Sequence, residues 1–151
     1  MRKRYSPTLK LLLICFSFLV LAAIFYKFIS LESQAERAVE QFYQEEQEGN
    51  YSESWELLHP LLKEKFPKAV FIQDRTHVFM GHFGADTFSY SIESAGKVKN
   101  WRIEAEGKKF ADGFRFLVTQ SYKGKYGIFH FQQEVIVVQE DGDMLLLWDY
   151  N

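Results

Sequence analysis

Leu11 to Tyr26 is an uncharged apolar run, LLLICFSFLVLAAIFY, inside an N-terminal stretch of 31 residues that carries five basic side chains (Arg2, Lys3, Arg4, Lys10, Lys27) and no acidic one. A helix of that length reaches roughly 24 Å at about 1.5 Å per residue, against a hydrocarbon core of roughly 30 Å. Phe28, Ile29 and Leu31 lengthen the run, and Lys27 can snorkel between them. The pattern predicts a cytoplasmic tail over 1–8 and a transmembrane signal-anchor helix over 9–31. Basic charge ahead of the apolar run holds the N-terminus in the cytoplasm and exports the C-terminal part. Residues 32–151 are therefore expected to form an extracytoplasmic domain of a single-pass cell-membrane protein. Ser33-Gln34-Ala35 offers the small residues a signal peptidase uses, so cleavage after Ala35 is the rival expectation. Ile14 before Cys15 does not fit a lipoprotein site, and Cys15 reads as an apolar residue of the helix.

The remaining 120 residues contain no cysteine, which excludes disulfide stapling, thiolate catalysis and cysteine-based metal sites there. About 120 residues suffice for one hydrophobic core. The outer part holds 20 acidic against 13 basic residues, a net charge of −7. That balance argues against nucleic acid, whose phosphates demand a basic footprint, and keeps the domain off an anionic lipid surface.

Within the outer part the hydrophobic period changes once. Over 33–48, Ala35, Ala38, Val39, Phe42 and Tyr43 recur at helical spacing with Glu and Gln between them. Ser33 with Glu36 fits a capping box, and Gly49 supplies the stop. Asn50 and Glu53 fit the start of a second helix that turns Trp55 and Leu58 inward and ends near His59-Pro60. A third helix is expected from Pro67 through Phe71, Arg75 and Val78 to Gly81. From Asp86 the alternation has period two, with turn signals at 94–97, 107–113, 123–127 and 140–143. Phe88, Tyr90 and Ile92, then Phe114, Phe116 and Val118, then Ile128 to Gln139 and Met144 to Tyr150 mark about four antiparallel strands joined by hairpins. Helices segregated before an antiparallel sheet define an α+β domain.

Phe42-Tyr43, Glu48-Gly49-Asn50-Tyr51, Trp55-Glu-Leu-Leu-His-Pro60, Phe71-Ile-Gln-Asp-Arg75 and the closing Leu147-Trp148-Asp149-Tyr150 resemble, in this order, the nuclear transport factor 2-like superfamily. The likeness is greatest to the non-catalytic domain that follows the membrane anchor in some low-affinity penicillin-binding proteins. It covers most of residues 33–151 and rests on packing residues. It implies a cone of three N-terminal helices on a curled antiparallel sheet, and an envelope location. Members of the superfamily that act as enzymes place an Asp and a His, or a Tyr and an Asp, in the cone mouth. No position here matches such a motif, and fold alone does not give function.

Candidate chemistry is sparse. His77 and His82, with Asp74 one turn before His77, could serve acid–base work. Their spacing of five suits a metal poorly, so no metal and no cofactor is expected. His130 in a strand and Asp149 beside Trp148 complete a set of candidate pocket groups: His77, His130 and Asp149. Ordinary helix-end and strand positions explain each of them more simply. Asn50-Tyr51-Ser52 fits a glycosylation acceptor, but the same residues serve as a turn and helix cap.

Aromatics number 20 in the outer part, enough to fill a curled sheet, line a cavity or form a face. Tyr122 and Tyr126, flanking Lys123-Gly124-Lys125, make an aromatic and basic hairpin on an otherwise acidic domain, a candidate contact for a protein partner. The leading expectation is a membrane-anchored, non-enzymatic domain that binds a protein or ligand at the cell envelope. The alternatives are a small-molecule-binding or acid–base enzyme using the cone mouth, and a structural subunit of a membrane complex. A homodimer is a further expectation. An enzyme needs convergent polar groups in an open cavity, whereas an interaction module needs a filled interior and an exposed aromatic patch.

Overall fold

The computed structural model describes residues 7–77, 84–85, 87–104 and 107–150. The chain divides into two compact units, one up to Ser33 and one from Gln34 onward. Helix α1 covers Pro7–Glu48. No proline or glycine interrupts it between Pro7 and Gly49, so Ser33 lies inside the helix and the expected capping box at Ser33 and Glu36 does not form.

In the first unit Leu13, Ile14, Phe16, Phe18, Leu19 and Leu21 are all exposed, and the Ser17 hydroxyl donates back to the Ile14 carbonyl at 2.8 Å. Among the described residues no helix is long and apolar enough to cross a membrane. The expected span over 9–31 includes positions whose side chains lie outside that description.

In the second unit, helix comes first and sheet second, as an α+β domain. Gly49, with φ of 80°, ends α1 in the left-handed conformation that glycine adopts without steric penalty. Three short helices follow: α2 (Tyr51–Glu56), α3 (Pro60–Lys65) and α4 (Lys68–Arg75). The helix expected after Asn50 does end before His59-Pro60, but a further helix, α3, stands between it and Pro67: Pro60 takes its first position and His59 caps it. Asn50 does precede α2, but its side chain donates to Glu45 and Glu48 instead of capping. Pro67 precedes α4, which stops at Arg75; the remainder of the run expected to reach Gly81 lies outside the described residues.

The sheet has four antiparallel strands in the order of the chain: β1 (Phe88–Arg102), β2 (Lys109–Gly124), β3 (Gly127–Glu140) and β4 (Asp143–Leu147). The expected turn at 94–97 is a bulge within β1, where the register against β2 shifts between Ser94 and Gly96. Gly113, expected in a turn, lies within β2, where a Cβ would meet the Val137 carbonyl oxygen at 3.0 Å. Beyond β4, Leu58 forms a parallel bridge with Leu146: His59 N–H donates to the Leu146 carbonyl and Leu146 N–H to the Leu57 carbonyl, each at 3.0 Å. That edge of the sheet is sealed.

The core lies between the Gln34–Glu48 portion of α1, the short helices and the sheet. Ala35, Val39, Phe42 and Tyr43 are buried with Leu58, Leu62, Phe71, Phe116, Val118, Val135, Val137, Leu146 and Trp148. Phe42 meets Tyr43 edge-on at 5.1 Å between ring centres and lies 5.9 Å from Trp148. Large rings thus occupy the space between helix and sheet, and their burial supplies the main stabilisation.

Candidate functional site

The three candidate pocket groups do not converge. His77 is exposed just beyond α4, and Asp149 is exposed beyond β4 next to the buried Trp148. His130 is exposed on β3, with its Nδ1 2.7 Å from Ser121 Oγ on the facing strand. His82 lies outside the described residues. Among the described residues no group of three or more His, Cys, Asp or Glu side chains could hold a metal ion.

The aromatic hairpin divides into two parts. Tyr122 is buried: its ring stacks on Phe129 at 5.0 Å and lies 5.2 Å from Phe88, and its hydroxyl accepts from Gln120 Nε2 at 2.9 Å. It faces the core because it stands at even spacing from Phe116 and Val118 and so shares their face of β2. That removes Tyr122 from the exposed contact expected of it. Lys123, Lys125 and Tyr126 remain exposed or partly exposed around the two-residue turn that joins Gly124 to Gly127. Tyr126 is 94 % exposed, Ile128 68 % and Phe131 44 %. Of the four large exposed apolar side chains described from Gln34 onward, three therefore fall within six consecutive positions. Sequence alternation pointed to the turn but could not show that Ile128 and Phe131 stay uncovered, because cover depends on where the helices end.

Two buried polar clusters have no counterpart in the sequence pattern. In the first, Glu46 of α1 accepts from Ser54 Oγ at 2.6 Å and faces Arg75 of α4 at 3.3 Å. Burial pushes the Glu46 carboxyl above its ordinary range, and the Arg75 guanidinium and the Ser54 hydrogen bond pull it partly back. Nearby, Tyr43 donates to Gln133 Oε1 at 3.1 Å, and burial drives the Tyr43 hydroxyl far up. Gln120 Oε1 is buried with no hydrogen-bond partner among the described residues. Glu at a helical position between Tyr43 and Gln47 reads from sequence as an exposed face. Only the approach of α4 converts it into an interior group.

The second cluster centres on His59, which is 1 % exposed. Its Nδ1 accepts from Leu61 N–H at 3.1 Å, so the ring proton of the neutral form sits on Nε2, which faces Glu140 Oε2 at 2.7 Å. Lys108 pairs with the other Glu140 oxygen. Burial lowers the His59 pKa, although Glu140 opposes the shift. Phe110 closes the ring edge-on at 5.1 Å. With Nδ1 committed to a helix cap, this imidazole has no lone pair to accept a substrate proton, so the cluster is a clamp between α3 and the β3–β4 turn.

The described residues line open clefts on the surface. One of about 370 Å³ is lined by Leu61, Lys65, Glu104, Lys108 and Tyr150 among others, and one of about 380 Å³ by Arg37, Gln41, Leu57, Met144 and Leu145 among others. Neither includes Tyr43, Glu46, Gln120, His77, His130 or Asp149. The chain matches no protein-family model and no curated protein.

Proposed function

We propose that this chain is a membrane-anchored, extracytoplasmic, non-enzymatic module that binds a protein of the cell envelope through the end of the β2–β3 hairpin. The observation that carries the reading is that Tyr126 at the turn, Ile128 on one face of β3 and Phe131 on the other are three exposed large apolar side chains around one hairpin end, with Lys123 and Lys125 beside them. Exposed apolar groups concentrated on one element mark interaction surfaces. The two lysines stand out on a domain of net negative charge, so the partner surface is apolar with an acidic rim. The packed rings between α1 and the sheet favour this over an enzyme that uses the cone mouth.

Anchorage is supported by the uncharged run Leu11–Tyr26 with its basic flank. It is supported also by the seven exposed large apolar side chains from Leu13 to Leu21, whose exposure to water costs about 1.5–3 kcal/mol each. The nuclear transport factor 2-like resemblance belongs to the same reading, supported by helices that precede a four-stranded antiparallel sheet.

The test places a photo-crosslinking amino acid at position 126 of the full chain in intact cells, with position 141, in the turn at the other end of β3, as the comparison. A single adduct band at 126, absent at 141 and lost on adding Ile128→Ser and Phe131→Ser, is the expected result. Adducts that are the same at both positions, or that survive both serine substitutions, overturn the reading.

A further inference from the structure

The two outer edges of the sheet are treated differently. The β4 edge is sealed by the Leu57–His59 segment. The outer edge of β1 is in two halves. From Ser94 onward it carries a bulge, Asn100 in the left-handed region at φ of 56°, and Lys97, Lys99 and Arg102, all features that discourage strand addition. Phe88 to Ile92 has none of these: it is regular, uncharged, and unpaired on its outer side by any strand among the described residues.

The register shows which backbone groups that half presents. A two-residue hairpin turn closes on a hydrogen-bonded pair, here Gly124 and Gly127. Hydrogen-bonded pairs between β2 and β3 then recur at Tyr122–Phe129 and Gln120–Phe131, so Ser121 and Thr119 direct their backbone groups toward β1, onto Ser89 and Ser91. Phe88, Tyr90 and Ile92 therefore turn their N–H and C=O groups outward. Gln47 Nε2 donating to the Phe88 carbonyl at 2.6 Å shows the same direction independently.

The segment is also nearly the same read from either end. Thr87-Phe-Ser-Tyr-Ser-Ile-Glu93 places a serine on each side of Tyr90, a large apolar residue beyond each serine, and a polar residue outside those. We propose that Phe88–Ile92 of β1 pairs antiparallel with the same segment of a second copy of this chain, about a twofold axis at Tyr90. In that register Tyr90 faces Tyr90 of the second copy, Phe88 faces Ile92, Ser89 faces Ser91 and Thr87 faces Glu93. No like charges oppose one another, and the outward groups form three hydrogen-bonded pairs, about six backbone bonds in all once the Gln47 amide turns away from the Phe88 carbonyl it now holds. A twofold centred two residues later runs into the Ser94–Gly96 bulge, and within Phe88–Ile92 a twofold at Tyr90 pairs all three outward positions, whereas one at Ser89 or Ser91 pairs two. A closed, self-complementary contact of this kind forms a dimer and stops there. It lies on a different element from the hairpin end, which stays free for another protein.

Ser89 and Ser91 are exposed, so substitutions there leave the core intact, and the pair forms the test. The full chain in detergent is sedimented as wild type, as Ser89→Lys with Ser91→Lys, and as Ser89→Lys with Ser91→Glu. The first variant sets two like-charged pairs across the axis and the second sets two opposite-charged pairs. The expected result is a dimer for wild type, an affinity lower by about tenfold or more for the double-lysine chain, and recovery of the dimer in the lysine–glutamate chain. Independently, Cys15→Ser with Ser89→Cys and Ser91→Cys should oxidise to a covalent dimer whose linked peptides join position 89 to position 91. A monomeric wild type with no covalent dimer, equal behaviour of the two charge variants, or links joining 89 to 89 would overturn the proposal.

Discussion

Arg75 Nη1 stands 3.3 Å from Glu46 Oε2 with the two side chains 14 % and 2 % exposed, so the last turn of α4 is tied to α1 by a charge pair nearly out of reach of water. The pair brings together residues 29 positions apart in the chain. Its second carboxylate oxygen is held by Ser54, which locks α2 into the same arrangement.

Removing one partner of a buried pair is far more damaging than removing both. Arg75→Met is expected to destabilise the domain by about 3 kcal/mol, read as a fall in melting temperature of about 10 °C. The size should depend on pH. Without the guanidinium the Glu46 carboxyl, already pushed up by burial, holds its proton to higher pH in the folded chain than in the unfolded one. Its raised folded pKa means that stability is present at low pH and lost as pH rises through that value. The variant should therefore lie further below wild type at pH 8 than at pH 5. Thermal melts at the two pH values decide this; an equal deficit at both would show that the loss is packing alone.

His59 acts with the opposite sign. Burial holds its pKa below the ordinary value of 6.5, so the unfolded chain binds the proton more readily. Stability contributed this way is complete above the unfolded value and declines as pH falls from about 6.5 through the folded pKa. Protonation also puts a hydrogen on Nδ1 where Leu61 N–H now donates. Glu140, held low by Lys108 and His59, adds the same sign at more acidic pH. His59→Asn keeps a capping acceptor but cannot titrate. Its melting temperature should vary less than that of wild type between pH 5 and 7, and an unchanged slope would remove His59 from the account.

The fold class, the four strands and the turns within 123–127 and 140–143 were readable because apolar periodicity reports which face of an element is covered. The buried clusters were not readable for the same reason. Glu46 and Arg75 are separated by two helices, and their partnership depends on chain reversals at Gly49, His59 and Pro67. The burial of Tyr122 was hidden because it borders a turn, where exposure is the usual state, while β2 carries its inward face as far as Gly124. Gly96 likewise looked like a turn, since a glycine at φ of 87° serves a bulge as well as it serves a hairpin.

Gly113 is a site where space, not backbone conformation, demands glycine. An added Cβ would stand 3.0 Å from the Val137 carbonyl oxygen and 3.3 Å from Val98 Cγ2. Backbone of a neighbouring strand cannot retreat without disturbing the β2–β3 ladder. Gly113→Ala is expected to cost about 1–3 kcal/mol, measurable by denaturant titration of the full chain. Alanine at Gly84, where the nearest atom among the described residues is 3.9 Å away, meets no such obstruction there and should show only the smaller cost of its positive φ. If the two variants lost the same stability, crowding at Gly113 would not be the cause.

The two tyrosines of the hairpin should separate cleanly in experiment. Tyr122 stacks on Phe129 and touches Phe88 within the core, so Tyr122→Ala opens a cavity and orphans the Gln120 amide that donates to its hydroxyl. The expected loss is about 3–5 kcal/mol, with any loss of partner binding following from unfolding. Tyr126 is 94 % exposed and meets only the Lys125 ammonium, at 5.5 Å from its ring centre, among the described contacts. Tyr126→Ala should leave stability within about 0.5 kcal/mol of wild type. If the hairpin end is the binding surface, that same variant should nevertheless lose the adduct that a crosslinker placed at position 128 forms in cells. Retention of the adduct together with full stability would leave Tyr126 no role in recognition, because the ring contributes to nothing else in the domain that binding could report.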